Sequence, residues 1–408
     1  MSYIKVPKIL LPQNIDMSKW AIIACDQFTA RPKYWTELEK YIGDSPSTYK
    51  VVFPEIYLNK VDQEERISSI NKEMKRYIDA GLFQEINNFV LVEREVENGK
   101  KRIGLMICID LDAYDWHRVR VPIRATEDTL TERLPVRIKI REKANLESPH
   151  AIALIDNPER DIIEPLYGQR NKFKKLYDFD LNMGGGNIKG YEVPQSEKII
   201  PKILSLLNQN EQVKKYGIDA GVLMVIGDGN HSVATAKVTW ENIKATLSET
   251  ERENHPSRYM LVEMINIYSG VDFKPIHRIV YNPSSDFLSG LSKELNGESN
   301  VKIVFSDHED EIKAPDIASY TIMGVQKYIE KYLKENPQSE VDYIHNEGHL
   351  KEAVAESGGN TIGIVMPSFP REELVNFVVN VGNLPKKAFS IGEPQHKRYY
   401  LEMRKISN

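Results

Sequence analysis

The sequence predicts an α/β or α+β protein built on a mixed β-sheet with flanking helices, and three observations carry that expectation. Residues 89–96 (FVLVEREV) and 102–111 (RIGLMICIDL) are β-rich runs joined across Glu97-Asn98-Gly99-Lys100. An Asn-Gly pair is the preferred two-residue hairpin turn, because both central residues take positive φ. Residues 221–226 (GVLMVI) form a short apolar run of the kind found in a strand buried on both faces, and Val233, Ala236, Trp240, Ile243 and Leu247 follow at spacings of three and four, the stripe of an amphipathic helix. Near the C-terminus, a strand at Thr361 to Met366, a helix from Pro370 to about Val381 and a strand at Arg398 to Ile406 alternate, with Pro370 suited to the first helical turn.

The other elements follow in chain order. Ala21 to Cys25 reads as an apolar strand and Tyr34 to Tyr41 as a helix, which Gly43, Asp44, Ser45 and Pro46 end. A second helix runs from Gln63 to about Ala80, ahead of the hairpin. Between His117 and Lys143 the cations Arg118, Arg120, Arg124, Arg133, Arg137, Lys139, Arg141 and Lys143 outnumber the acids Glu127, Asp128, Glu132 and Glu142. In VRIKIR, Val136, Ile138 and Ile140 alternate with Arg137, Lys139 and Arg141, so a strand here would show one apolar and one cationic face. That cationic face is either ordinary solvated surface or a surface turned to an anion. Gly184-Gly185-Gly186 suits a hairpin or mobile loop, and its spacing matches neither a dinucleotide fingerprint nor a P-loop. A helix from about Ser196 to Asn208 leads into the 221–226 strand. Three regions are expected: residues 1–115, an N-terminal α/β region; 116–280, a central domain; and 281–408, a C-terminal α/β region.

Composition excludes several classes. At 408 residues the chain is long enough for two or three domains, and 41% hydrophobic with 28% charged residues is a globular mixture. The formal net charge of −5 provides no general field for a polyanion, so no nucleic acid is expected as a partner. No apolar run approaches the length of a membrane span, and no secretory leader is evident at the N-terminus, so a cytoplasmic location with no membrane partner is expected. Cys25 and Cys108 both sit in apolar runs, which suits buried thiols and rules out a cysteine-based zinc site by number.

The chemistry concentrates at residues 227–232. The apolar run stops at Gly227-Asp228-Gly229-Asn230-His231-Ser232 before the amphipathic stripe begins. The order strand, glycine turn, helix N-terminus directs the positive end of the helix dipole at whatever lies above the turn, a natural anion site. Gly227 and Gly229 permit the tight turn. Asp228 is a candidate for binding a metal or accepting a hydroxyl proton, with helix capping as its simpler role, and Asn230 shares that capping alternative. His231, biased toward the neutral form by the dipole, is a candidate proton shuttle or phosphate contact, or a structural hydrogen-bond partner. Secondary candidates are Asp26 and Gln27, the pair His277 and Arg278, and Glu393, His396, Lys397 and Arg398, the last group read as a solvated loop.

The segments IGDGNHSVATAK, ACDQFTARPKYW, PSTYKVVFPEIYL, VPIRATEDT, PHAIALIDNPERDIIEPLY, MGGGNIKGYEV, RYMLVEMINIY, FKPIHRIV, VDYIHN and KAFSIGEPQHKRYYLEMRK together resemble the domain of unknown function 1015 family, nearly from end to end. A local resemblance at the turn, Asp228, Gly229 and His231, is to the motif of the ParB and sulfiredoxin-like superfamily, which includes nucleotide-binding switches and free-serine kinases. That second resemblance implies a ParB/sulfiredoxin-like core with additional elements, and a turn that holds nucleotide phosphates. Many such motifs carry a second His and then Arg, where this chain has Asn230 and Ser232. A cation from elsewhere is therefore required, and Arg124 or Arg278 is expected to supply it.

The functional expectation is a nucleotide- or phosphate-binding enzyme, a phosphotransferase (kinase) acting on a small hydroxyl compound. Asp228 and His231 would be its catalytic residues; Gly227, Gly229, Asn230, Ser232, Arg124 and Arg278 would bind ATP or ADP, and Asp228 would hold Mg²⁺. The alternative is a non-catalytic, nucleotide-responsive regulatory module.

Overall fold

The computed structural model describes residues 3–29, 31–58, 60–96, 99–117, 120–129, 134–399 and 401–407. Contacts divide the chain into two compact units, one of residues 1–125, 129–271 and 394–408, the other of 126–128 and 272–393. The C-terminal residues return to the first unit because Arg404–Lys405 pairs antiparallel with Leu146–Glu147.

The first unit is organised by a mixed sheet, as expected. Its strand order, among the described residues, is Lys174–Asp180, Asn187–Val193, Phe89–Glu95, Lys101–Asp110, Tyr259–Asn266, Ile152–Ile155, Met224–Asp228, Ile123–Ala125 and Tyr114–Asp115, with Ile4–Lys5 also paired to Lys101–Asp110. The hairpin forms, from Val90 opposite Met106 to Glu95 opposite Lys101, one residue away from the pairing that a two-residue Asn98-Gly99 turn would give, with Glu95 opposite Arg102. Glu97 and Asn98 lie outside the described residues. Met224–Asp228 runs parallel to Ile123–Ala125 and antiparallel to Ile152–Ile155, so both of its edges are covered and Met224, Val225 and Ile226 are buried. This explains its unbroken apolar run, since a strand enclosed on both faces has no solvent side to mark with polar residues. The following helix, Asn230–Lys244, sinks Val233, Ala236 and Trp240 into the core beside Ile226 and Ala153. The Trp240 indole N–H donates to Asp112 Oδ1 at 2.9 Å.

Several expectations require correction. VRIKIR is not a strand but part of the helix Leu134–Glu142. Its apolar residues satisfy both periods, since Val136 and Ile140 are also four apart, and tertiary packing chose the helical one. Ala21 to Cys25 is not a strand either. It is buried but makes only an isolated bridge, Ile23 to Arg398. The region after Ser196 is broken into Ser196–Lys198, Ile200–Leu204 and Ser205–Leu207 rather than one helix, with Pro201 in the first turn after the first break. The last strand shrinks to Arg404–Lys405, and the 370–381 segment begins as a 3₁₀ turn, Arg371–Glu373, before the helix Leu374–Asn380.

The triple glycine closes the hairpin of Lys174–Asp180 and Asn187–Val193. A Cβ on Gly185 would lie 2.6 Å from Arg398 Nη2. The small residue is therefore needed to seat a buried guanidinium.

The second unit carries an antiparallel sheet ordered Glu309–Ala314, Ser299–Val304, Thr361–Val365, His277–Tyr281 and Glu340–Ile344, with helices Phe287–Leu295, Ala318–Glu335 and Glu347–Glu356. Cys25 and Cys108 are free and buried, and burial pushes each thiol up to about 12. Among the described residues, no helix is long and apolar enough to cross a membrane.

Candidate functional site

The turn after Met224–Asp228 has the predicted geometry. A register shift between Ile226 and Asp228 puts Gly227 at an irregularity of the strand, and Gly229 caps the helix with φ of 78°. A Cβ at Gly229 would stand 2.9 Å from Ala151 Cα, so this position needs glycine for both its dihedral and its room. Asp228 Oδ1 accepts from the Gly229 N–H at 2.8 Å, while its Oδ2 lies 2.9 Å from Lys397 Nζ. Asn230 opens the helix and is buried, while His231 and Ser232 are half-buried on the first turn.

Around this turn the tertiary structure gathers residues that are distant in sequence. A cavity of about 460 Å³ is lined by Ser232 and Thr235 of the Asn230–Lys244 helix, by Arg137 and Arg141 of Leu134–Glu142, and by Cys25, Glu55, His150 and Tyr399. His150 packs edge-on against Tyr399, ring centres 5.1 Å apart. Burial lowers the His150 pKa, and the carboxylates of Asp26 and Asp228 oppose that shift without cancelling it. The imidazole is thus neutral near pH 7. Burial would raise the Asp26 pKa, yet His150, Lys397, the Gln27 amide and Arg137 together hold it well below the usual carboxylate range. Asp26 Oδ1 is buried without a hydrogen-bond partner. Arg137 pairs with Glu55, and Arg141 Nη2 lies 2.6 Å from Glu147 Oε2.

Part of the cationic stretch therefore lines the same cavity as Ser232. Arg124 takes a different position. Its guanidinium donates to the carbonyls of Val121 at 3.0 Å and Ala220 at 2.6 Å, bracing the sheet. Arg278 belongs to the second unit, where it is buried, bonded to the Ile276 carbonyl and to Gln326 Oε1 at 3.2 Å, and stacked over Tyr343. Glu393, His396, Lys397 and Arg398 do not form a solvated loop, since none of the four is exposed. His396 and Arg398 are buried, and Arg398 donates to Asn182 Oδ1 at 2.7 Å and to the Gln395 carbonyl at 2.9 Å. Sequence reasoning missed His150 altogether and undervalued Lys397. Neither lies in a periodic pattern, and only their segments, PHAIALIDNPERD and GEPQHKRYY, stood out as family-like.

Among the described residues no group of three or more His, Cys, Asp or Glu side chains could hold a metal ion. Asp228, the residue expected to bind Mg²⁺, already has one oxygen on a backbone N–H and the other on an ammonium. The donor set does not fit a metal at that position.

The fold and this site define a class: a mixed α/β protein with a small-molecule-sized cavity at the carboxyl end of a doubly covered strand. The family is then specific. A family model described as "Protein of unknown function (DUF1015)" matches residues 9–360, and the chain belongs to that family. Among solved structures, the chain is similar to a conserved hypothetical protein from Pyrococcus furiosus, at 12% identity and a TM-score of 0.37, covering 71% of this chain and 91% of that one. It is also similar to a free serine kinase in complex with AMP, at 13% identity and a TM-score of 0.38, covering 71% and 88%. A variant of that kinase in complex with ADP gives 12% identity, a TM-score of 0.38 and the same coverage. No curated protein matches the chain.

Proposed function

We propose that the cavity binds a phosphorylated small molecule or the phosphates of ATP or ADP, and that the protein is a phosphotransferase acting on a small hydroxyl compound. One observation supports this most: the Ser232 and Thr235 side chains, at the positive end of the Asn230–Lys244 helix, share one cavity with Arg137 and the neutral His150. A phosphoryl group needs donors and positive charge at one place, and an acceptor hydroxyl needs a base beside it. The Ser232 hydroxyl donates to a phosphoryl oxygen, the Thr235 proton being held by the His231 carbonyl at 2.7 Å, and Arg137, one of whose five donors is spent on Glu55, supplies countercharge. Gly227 and Gly229 shape the turn, with Asn230 fixing the helix start and His231 contacting phosphate from the first turn. Asp228 acts through Lys397, whose ammonium it positions. His150 takes the acceptor proton as the hydroxyl oxygen bonds to phosphorus and the bond to the nucleotide's leaving oxygen breaks.

The test is thermal shift with ATP, ADP, AMP and inorganic phosphate, followed by ³¹P NMR of nucleotide consumption with a panel of hydroxyl compounds. A ligand at 100 times its Kd stabilises by about 2.7 kcal/mol. Stabilisation with consumption supports the kinase. Stabilisation without turnover across the panel favours the regulatory module, and no stabilisation by any of the four overturns the reading.

A further inference from the structure

The wall of this cavity divides by chemistry, and the division constrains what fills it. Along Leu134–Glu142 and the residues just after it, two rows with a spacing of four face the cavity: Val136, Ile140 and Ala144, and beside them Arg137 and Arg141. Side chains four apart on a helix stack one turn above another, so Val136 and Ile140 form an apolar row that Ala144, just past the helix, adds to. Phe53, Met74, Leu146, Met260 and Ile406 extend the apolar surface from other segments.

The acidic lining is already spent on cations of the wall. Arg137 pairs with Glu55, and Arg141 pairs with Glu147, whose other oxygen takes Arg404 Nε at 2.8 Å. Glu147 is buried, and although burial alone would raise its pKa, Arg404 and Arg141 hold the carboxylate below its ordinary range. An amino acid would bring an ammonium and a carboxylate into this space. The ammonium would need an unpaired carboxylate to offset its desolvation, and both carboxylates in the wall are committed.

We propose that the molecule occupying this cavity is a small amphiphile, with a hydroxyl or phosphoryl end against Ser232 and His150 and an uncharged aliphatic or aromatic body against Val136, Ile140, Ala144 and Met260. The inference rests on the reading of the cavity as a phosphate site and narrows its substrate class. The free-serine-type acceptor implied by the local turn resemblance is replaced by an alcohol with an apolar body.

Isothermal titration of the full chain with inorganic phosphate, methyl, butyl and hexyl phosphate, and O-phosphoserine tests it. Burying each added methylene is expected to raise affinity about fourfold until the apolar wall is covered, and O-phosphoserine is expected to bind no better than methyl phosphate. Ala144→Phe, which fills the apolar end, is expected to bring the alkyl series down to the affinity of inorganic phosphate. Should that variant melt early, Ile140→Ser tests the same row from a half-exposed position. A flat alkyl series in the parent, with inorganic phosphate still bound and weakened by Ser232→Ala, overturns the amphiphile and leaves the phosphate reading standing. Absence of binding by every phosphate compound overturns both.

Discussion

Asp228 Oδ2 lies 2.9 Å from Lys397 Nζ, an ion pair that joins the glycine turn of the central strand to the C-terminal segment of the chain, with only 15% and 16% of the two side chains exposed. Neither partner is on an element that specifies the other. The sheet positions Asp228, and the return of residues 394–408 to the first unit delivers Lys397.

Asp228→Asn separates chemistry from scaffolding. The amide oxygen still accepts from the Gly229 N–H, so the variant is expected to melt within a few degrees of the parent. Loss of the charge that positions Lys397 is expected to lower turnover by about 10²-fold, the scale of a group that places an acid–base or charged partner. His231→Gln, which keeps a hydrogen-bonding end and cannot titrate, is expected to weaken phosphate binding with a similarly small change in melting. Calorimetric melting and nucleotide turnover read both. Two early-melting variants with full ligand response would show the turn to be structural.

Gly229→Ala is expected to destabilise the protein by about 2–5 kcal/mol, combining about 1–2 for a side chain in the left-handed region with about 1–3 for overpacking. The new Cβ would meet Ala151 Cα at 2.9 Å. Denaturant unfolding measures it. A loss under 1 kcal/mol would mean that the neighbouring strand yields.

The pH dependence of turnover is expected to follow His150. Because burial lowers its pKa, the base form persists below the ordinary histidine value of 6.5, and the acid limb of the profile falls under that value. The negative charge of Asp26 raises the His150 pKa, so Asp26→Asn is expected to move the limb lower still. A limb that moves upward, or one at an unperturbed histidine position, would remove His150 from the role of base.

Glu402 provides a stability prediction remote from turnover. Burial pushes its carboxyl up to about 7 from an ordinary 4.5, with the Glu263 charge adding to the rise and the Tyr177 hydroxyl, which donates at 2.5 Å, opposing it. A folded-state pKa raised above the unfolded one gives stability that is fully present below about pH 4.5 and lost as pH rises through about 7. The loss from this group amounts to about 3 kcal/mol at 1.36 kcal/mol per pH unit. Glu402→Gln keeps an acceptor for Tyr177 and is expected to be more stable than the parent above pH 7. Equal pH dependence in the two proteins would place the effect elsewhere.

Much of the architecture was legible because local patterns were unambiguous. The two strands of the 89–111 hairpin were marked by their β-rich runs, although their register differs by one residue from that of a two-residue turn, and Met224–Asp228 with Asn230–Lys244 had a run of apolar residues followed by a helical stripe. Where a pattern admitted two periods, as at Val136 to Arg141, the sequence could not choose, because the choice depends on what packs against it.

The sequence by itself determined the mixed sheet, the glycine turn and the chemistry available there, since strand enclosure, positive φ and helix polarity are properties of a few consecutive residues. Only the tertiary structure decided which cations and bases meet that turn. Arg124 and Arg278, plausible by composition, spend their guanidinium groups on carbonyl and amide oxygens, whereas Arg137, His150 and Lys397 arrive from a helix, a strand approach and the C-terminal segment. Ion pairing falls off with distance in space and takes no account of distance along the chain, so the makeup of the site was fixed by chain crossings that no local spacing encodes.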